Sequence, residues 1–152
     1  PREKKVYIAI DAAREARSLG VDYGNFYDPI GKPVVRGYSL YMWAEKQNKG
    51  NEFLAAFLKA AFARGINTNS SNGLRKVVEN AGLDWDEAKA HLDDDSWEAP
   101  LENNRLSMYG FGSWGVPSYR LLDAKGNEIL SAWGQDRLWL VAQKIRDLSG
   151  LS

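Results

Sequence analysis

The chain contains no cysteine, which excludes disulfide exchange and thiolate metal ligation by these residues acting alone. A single histidine, His91, can build neither a histidine metal site nor a triad with a second imidazole in reserve. Charge of one sign is not in excess: 20 Lys and Arg face 20 Asp and Glu, so no net field gathers nucleic acid or an acidic membrane surface. No apolar run approaches the ~20 residues of a membrane span, and PREKKVYIAI lacks the long apolar core of a secretion signal. The expectation is a soluble, cytoplasmic protein with no nucleic-acid, membrane or metal partner. The first residue is Pro1 rather than Met, which leaves open the removal of something upstream.

What is present suits one folded unit of 152 residues, 44% hydrophobic and 26% charged. Val6, Ile10, Ala13, Ala16 and Leu19 recur at helical spacing from Glu3, and Gly20 stops the pattern. After the loop VDYGNFYDPIGKP, Pro33 suits a first helical position, and Val34, Tyr38, Tyr41, Met42 and Glu45 continue to about Asn48. NEFLAAFLKAAFARG gives the clearest helix, with Phe53, Leu54, Phe57, Leu58, Ala61 and Phe62 as its core stripe. NTNSSNG supplies a cap for a helix carrying Leu74, Val77, Val78 and Ala81, and Asp84 with Glu87 reads as a capping box for a short helix to Leu92. Ser96 is placed to cap a further helix to about Tyr109, with Pro100 tolerated in its first turn.

The tail changes character. PSYRLLD and EILSAWG flank the turn AKGN and predict a two-stranded antiparallel hairpin, after which Asp136 opens a last helix bearing Leu138, Val141, Ile145 and Leu148. Pro117 stands at the strand entrance, one of the few places in a sheet where a residue without an N–H fits. The whole chain, 1–152, is expected to be one domain, helical over 3–109 and hairpin plus helix over 112–150.

A strand begun by proline, a hairpin and a closing helix, preceded by a long helical stretch, resemble the thioredoxin fold of the DsbA-like branch. Within it, PREKKVYIAIDAAREARSLG, ENAGLDWDEA, GSWGVP and WGQDRL resemble the kappa-class glutathione transferases and the 2-hydroxychromene-2-carboxylate isomerases. The resemblance implies an α+β, mostly helical fold: the C-terminal half of a thioredoxin-like fold with the DsbA-like all-helical insertion. It also implies that the strand-helix-strand carrying the family's catalytic serine, or the CxxC of DsbA proteins, precedes Pro1. No serine here matches that position, so none is carried over as catalytic.

By the same resemblance, the Val116 backbone pairs with the cysteinyl part of glutathione beside a cis-Pro117, and Gln135 and Asp136 hold the γ-glutamyl end. Pro1 and Lys4 fall where the family brings a loop over that site. Trp114 and Trp133 would wall an apolar substrate pocket, although tryptophans in a small domain are more often core. Asp136 has a plainer role open to it, that of an N-cap, and Arg137 is as readily an ion-pair residue as a ligand contact. His91 is expected on a polar helix face and DDD on a solvated one.

The implied function is that of a glutathione-dependent isomerase or transferase, with glutathione as cosubstrate, a small hydrophobic or aromatic electrophile, and no metal. Two alternatives stand beside it: a non-catalytic helical binding or assembly domain, and a DsbA-type protein disulfide oxidoreductase. The unpaired edge of Ser118–Leu122 implies a homodimer or a complementing segment.

Overall fold

The structure is a computed structural model that describes residues 2–150. Pro1 lies outside the described residues. The chain forms two compact units that meet in sequence at Trp97 and Glu98. The helix before the hairpin therefore goes with the hairpin and not with the helices preceding it.

The first unit is helical: α1 Arg2–Leu19, α2 Lys32–Lys46, α3 Gly50–Phe62, α4 Ser71–Asn80 and α5 Trp85–Ala88, which runs on as a 3-10 turn to His91. Its core gathers Leu40, Trp43 and Ala44 of α2, Phe53, Phe57 and Ala60 of α3, Leu74, Val77 and Val78 of α4, and Ala81 and Ala88. Helix α4 follows the sequence closely, because the Ser70 hydroxyl accepts from Gly73 N–H at 3.0 Å and so caps it. Asp84 Oδ1 likewise accepts from Glu87 N–H at 3.0 Å at the start of α5.

On α2 the buried face is Pro33, Gly37, Leu40 and Ala44, with Ser39 and Trp43. The register is set by Gly37, where an added Cβ would lie 2.8 Å from Phe57 Cε2, so only a hydrogen lets α3 approach. On α3 the stripe is narrower than expected: Phe53 is 2% exposed but Leu54 is 46%, one step of about 100° round the helix. Ser96 caps nothing; its N–H is taken by Asp94 Oδ1 at 2.6 Å, and the next helix begins two residues later at Glu98.

Side chains pin the loops. Arg36 Nε donates to Asp93 Oδ1 at 2.9 Å, and its Nη1 donates to the Asn69 carbonyl, tying α2 to both neighbouring turns. Ser39 Oγ donates to the Arg36 carbonyl at 2.8 Å and accepts from Asp93 N–H at 3.2 Å, which satisfies a buried hydroxyl on the core face. The loop after α1 is held on the end of α3 by Gly24 N–H to Phe62 O at 3.1 Å and Tyr27 N–H to Ala61 O at 2.7 Å. His91 is exposed and stacks on Trp43 at 5.8 Å between ring centres. Helix α1 forms over its expected length, yet none of its residues is buried.

The second unit comprises α6 Glu98–Gly110, strands β1 Ser118–Leu122 and β2 Glu128–Trp133, and α7 Leu138–Ser149. The strands pair antiparallel from Ser118 opposite Trp133 to Leu122 opposite Glu128, with an irregularity between Leu121 and Leu122. Asp123 makes the turn: its Oδ1 accepts from Lys125 N–H and Asn127 N–H, each at 2.8 Å, and its Oδ2 from the Asn127 amide at 2.9 Å. Those bonds, the Asn127 side chain first, hold the Asp123 carboxyl below the usual carboxylate range. Arg120 bonds Glu128 across the pair at 2.9 Å.

The tight seat of Gly37 makes a test. Gly37→Ala should cost about 1–3 kcal/mol in urea unfolding through overpacking against Phe57, whereas Leu54→Ala on the exposed flank should stay within about 1 kcal/mol. Equal effects would mean that the packing of α2 on α3 is not set by the missing Cβ.

Candidate functional site

The corner where β1 begins and β2 ends gathers four of the residues singled out from the sequence. The Pro117 carbonyl accepts the Gly134 N–H at 2.9 Å, one step beyond the Ser118–Trp133 pair. Val116 and Pro117 therefore lie beside Gln135 and Asp136, although 18 positions separate Pro117 from Gln135 in the sequence. The Val116–Pro117 peptide is cis. Val116 is 83% exposed. Among the described residues neither its N–H nor its C=O has a hydrogen-bond partner.

Gly134 is buried and holds φ at 104°, and a Cβ there would fall 2.6 Å from Asp136 Oδ1. That conformation turns the chain out of β2 into a 3-10 turn, Gln135–Arg137, ahead of α7. Asp136 is not an N-cap: no side chain caps either the turn or α7, and its Oδ2 accepts from Arg137 Nη1 at 2.6 Å instead. Its Oδ1 has no donor among the described residues and lies over Gly134 on an exposed side chain, so one carboxylate oxygen is unpaired. Arg137 is thus an ion-pair partner within the site.

Trp114 and Trp133 lie tilted against each other at 5.6 Å between ring centres and are 70% and 50% exposed, so they are not core. Gly115 admits the Trp133 ring, since a Cβ there would sit 2.5 Å from the indole Nε1. The apolar groove beside Val116, of 480 Å³, is lined instead by Leu101 and Met108 of α6, by Phe111, and by Ser118. Sequence reasoning missed these residues; the spacing of Leu101 and Met108, two turns apart on one helix, was the available signal. Lys4 is in α1, the helix that the spacing from Glu3 predicts, within the first unit.

No group of three or more potential metal ligands occurs among the described residues, and no helix among them is long and apolar enough to cross a membrane.

A helical insertion followed by a proline-entered hairpin and a closing helix is the architecture of DsbA-like thioredoxin domains. The description "DSBA-like thioredoxin domain" matches residues 2–146, and the chain belongs to that family. A solved structure titled "probable DsbA oxidoreductase", from Streptomyces coelicolor, superimposes with a TM-score of 0.71 at 18% identity, over 100% of this chain and 63% of its own. At that identity the likeness is one of fold, and the chain spans under two thirds of that neighbour's length. A comparison with curated proteins finds no match.

The corner depends on Gly134. Gly134→Ala should lower stability by at least about 1 kcal/mol through the positive φ alone. Gly110→Ala, at the end of α6 with nothing within 4 Å of the new Cβ, should be neutral or stabilising by up to ~1 kcal/mol. Thermal unfolding of the two variants checks the contrast, and similar losses in both would remove the special role of Gly134.

Proposed function

We propose that this chain carries the glutathione-binding face of a glutathione-dependent isomerase or transferase, of the kind represented by the kappa-class transferases and 2-hydroxychromene-2-carboxylate isomerases. The supporting observation is the Gly134–Pro117 hydrogen bond, which sets an exposed backbone with free hydrogen-bonding groups at Val116 beside an unpaired carboxylate oxygen at Asp136. A tripeptide-like ligand uses both. Its cysteinyl amide pairs with Val116 as an added strand would, the α-ammonium of its γ-glutamyl end meets Asp136 Oδ1, and Gln135 takes the neighbouring carboxylate. The motifs GVP and WGQDRL supply the likeness to the glutathione-using branch.

Chemistry in such an enzyme is the addition of glutathione's thiolate to a conjugated ketone or another electrophile. The residues here bind and orient; a serine that ionises the thiol is not among those assigned. The structural neighbour's title names an oxidoreductase; the motif WGQDRL fits the glutathione-using branch better, and that motif favours the glutathione reading. A cytoplasmic location belongs to the same proposal. The outer edge of β1 has no partner strand among the described residues, and a second copy or a complementing strand is proposed to pair there.

Calorimetric titration of the chain with reduced glutathione should give a dissociation constant between micromolar and millimolar, about −8 to −4 kcal/mol. Asp136→Ala should weaken binding about ten- to hundredfold, the range of a charge-assisted contact. The same change should cost no more than about 1 kcal/mol of stability, because only an exposed ion pair is lost. No binding up to about 10 mM, or unchanged affinity in the variant, would reject the assignment.

A further inference from the structure

The groove along α6 has its own chemistry. At 480 Å³ it lies within the 300–1,000 Å³ range of small-molecule sites, and Leu101, Met108, Phe111 and Val116 make its surface apolar. Arg105 also borders it with its guanidinium engaged: both Glu102 oxygens take it at 2.6 Å, and its Cζ lies 5.0 Å from the Tyr109 ring centre. An anionic ligand would compete with Glu102 for that cation.

Asn104 borders the groove from its exposed rim, whereas Ser118 Oγ is part-buried, so Ser118 Oγ is the polar atom held in place to select a ligand. It donates to the Gly115 carbonyl and lies 2.6 Å from Ser113 Oγ. A hydroxyl has a single hydrogen; Ser118 gives it to the carbonyl, so Ser113, 8% exposed, is the donor in the serine pair. Ser118 Oγ is left with one acceptor lone pair and no further donor among the described residues.

We propose that this groove binds a neutral, apolar ring system bearing a single N–H or O–H donor, with Ser118 Oγ as the acceptor and the apolar side chains of Leu101, Met108 and Phe111 as the bed. Its position beside Val116 makes it the pocket of the electrophile, an assignment that rests on the glutathione reading. The chemistry of the ligand does not rest on it.

Indole and 1-methylindole separate the two parts, since they share a ring system and differ in the donor. In a methyl-labelled sample, both probes should produce saturable shifts of the Met108 and Val116 methyl resonances, with indole about fivefold tighter, the value of one neutral hydrogen bond. Ser118→Ala should bring indole to within about twofold of 1-methylindole, Ser118→Thr should restore the difference, and Met108→Trp should fill the groove and abolish both titrations without altering the hairpin. Equal affinity of the two probes for the unmodified protein would overturn the acceptor role. Absence of saturable shifts, or shifts confined to methyl groups of the first unit, would overturn the groove itself. Indole binding without glutathione binding leaves the groove and removes the electrophile assignment; glutathione binding without indole binding leaves the glutathione reading and removes the groove with its assignment.

Discussion

One backbone hydrogen bond, Gly134 N–H to the Pro117 carbonyl, governs what this chain presents to a ligand. It extends the β1–β2 ladder one step past the last side-chain pair and brings a strand entrance and a strand exit to the same corner. Proline at 117 has no N–H to return, so the ladder stops there and the groups of Val116 are left unpaired. Glycine at 134 is required for a different reason: the chain leaves β2 at positive φ with an aspartate folded back over it. The pairing of these two residues leaves the hairpin end with an unpaired stretch of backbone and a carboxylate at one side.

Burial is distributed unevenly. In the first unit, α2 to α5 close around Leu40, Phe53, Leu74, Val77 and Val78, all nearly inaccessible, and this is where hydrophobic stabilisation resides. Helices α1, α6 and α7 bury no residue, and they carry exposed apolar side chains such as Ile8, Leu106 and Trp139. A two-stranded hairpin is marginal by itself, and apolar surface of this extent is the kind against which further protein packs. Among the described residues the apolar stripes of these helices are surface and not core.

The fold class and the element order were legible because helical period, caps and turn residues are local properties. Ser70, Asp84 and Asp123 act on N–H groups within four positions of themselves, and two of the three were expected as caps from spacing alone. What escaped the sequence is set by distant partners. The face that α2 buries depends on the fit of Phe57 against Gly37, and the part of α3 left outside depends on how many helices cover it. Asp136 sits where a capping residue would, yet the adjacent Arg137 takes its carboxylate. The α6 groove exists only once Leu101 and Met108 are folded beside Val116 and Ser118, which no window of sequence shows together.

The central claim is that 116–117 and 134–136 act as one binding element held by backbone pairing. Amide exchange and shift mapping in a single NMR experiment address it directly. The account predicts that the Gly134 amide exchanges as slowly as those inside β2, and that added glutathione shifts Val116, Gly134 and Gln135 along one saturation curve. Exchange at Gly134 as fast as at Ala124 in the turn, with glutathione shifts absent from this corner, would contradict it.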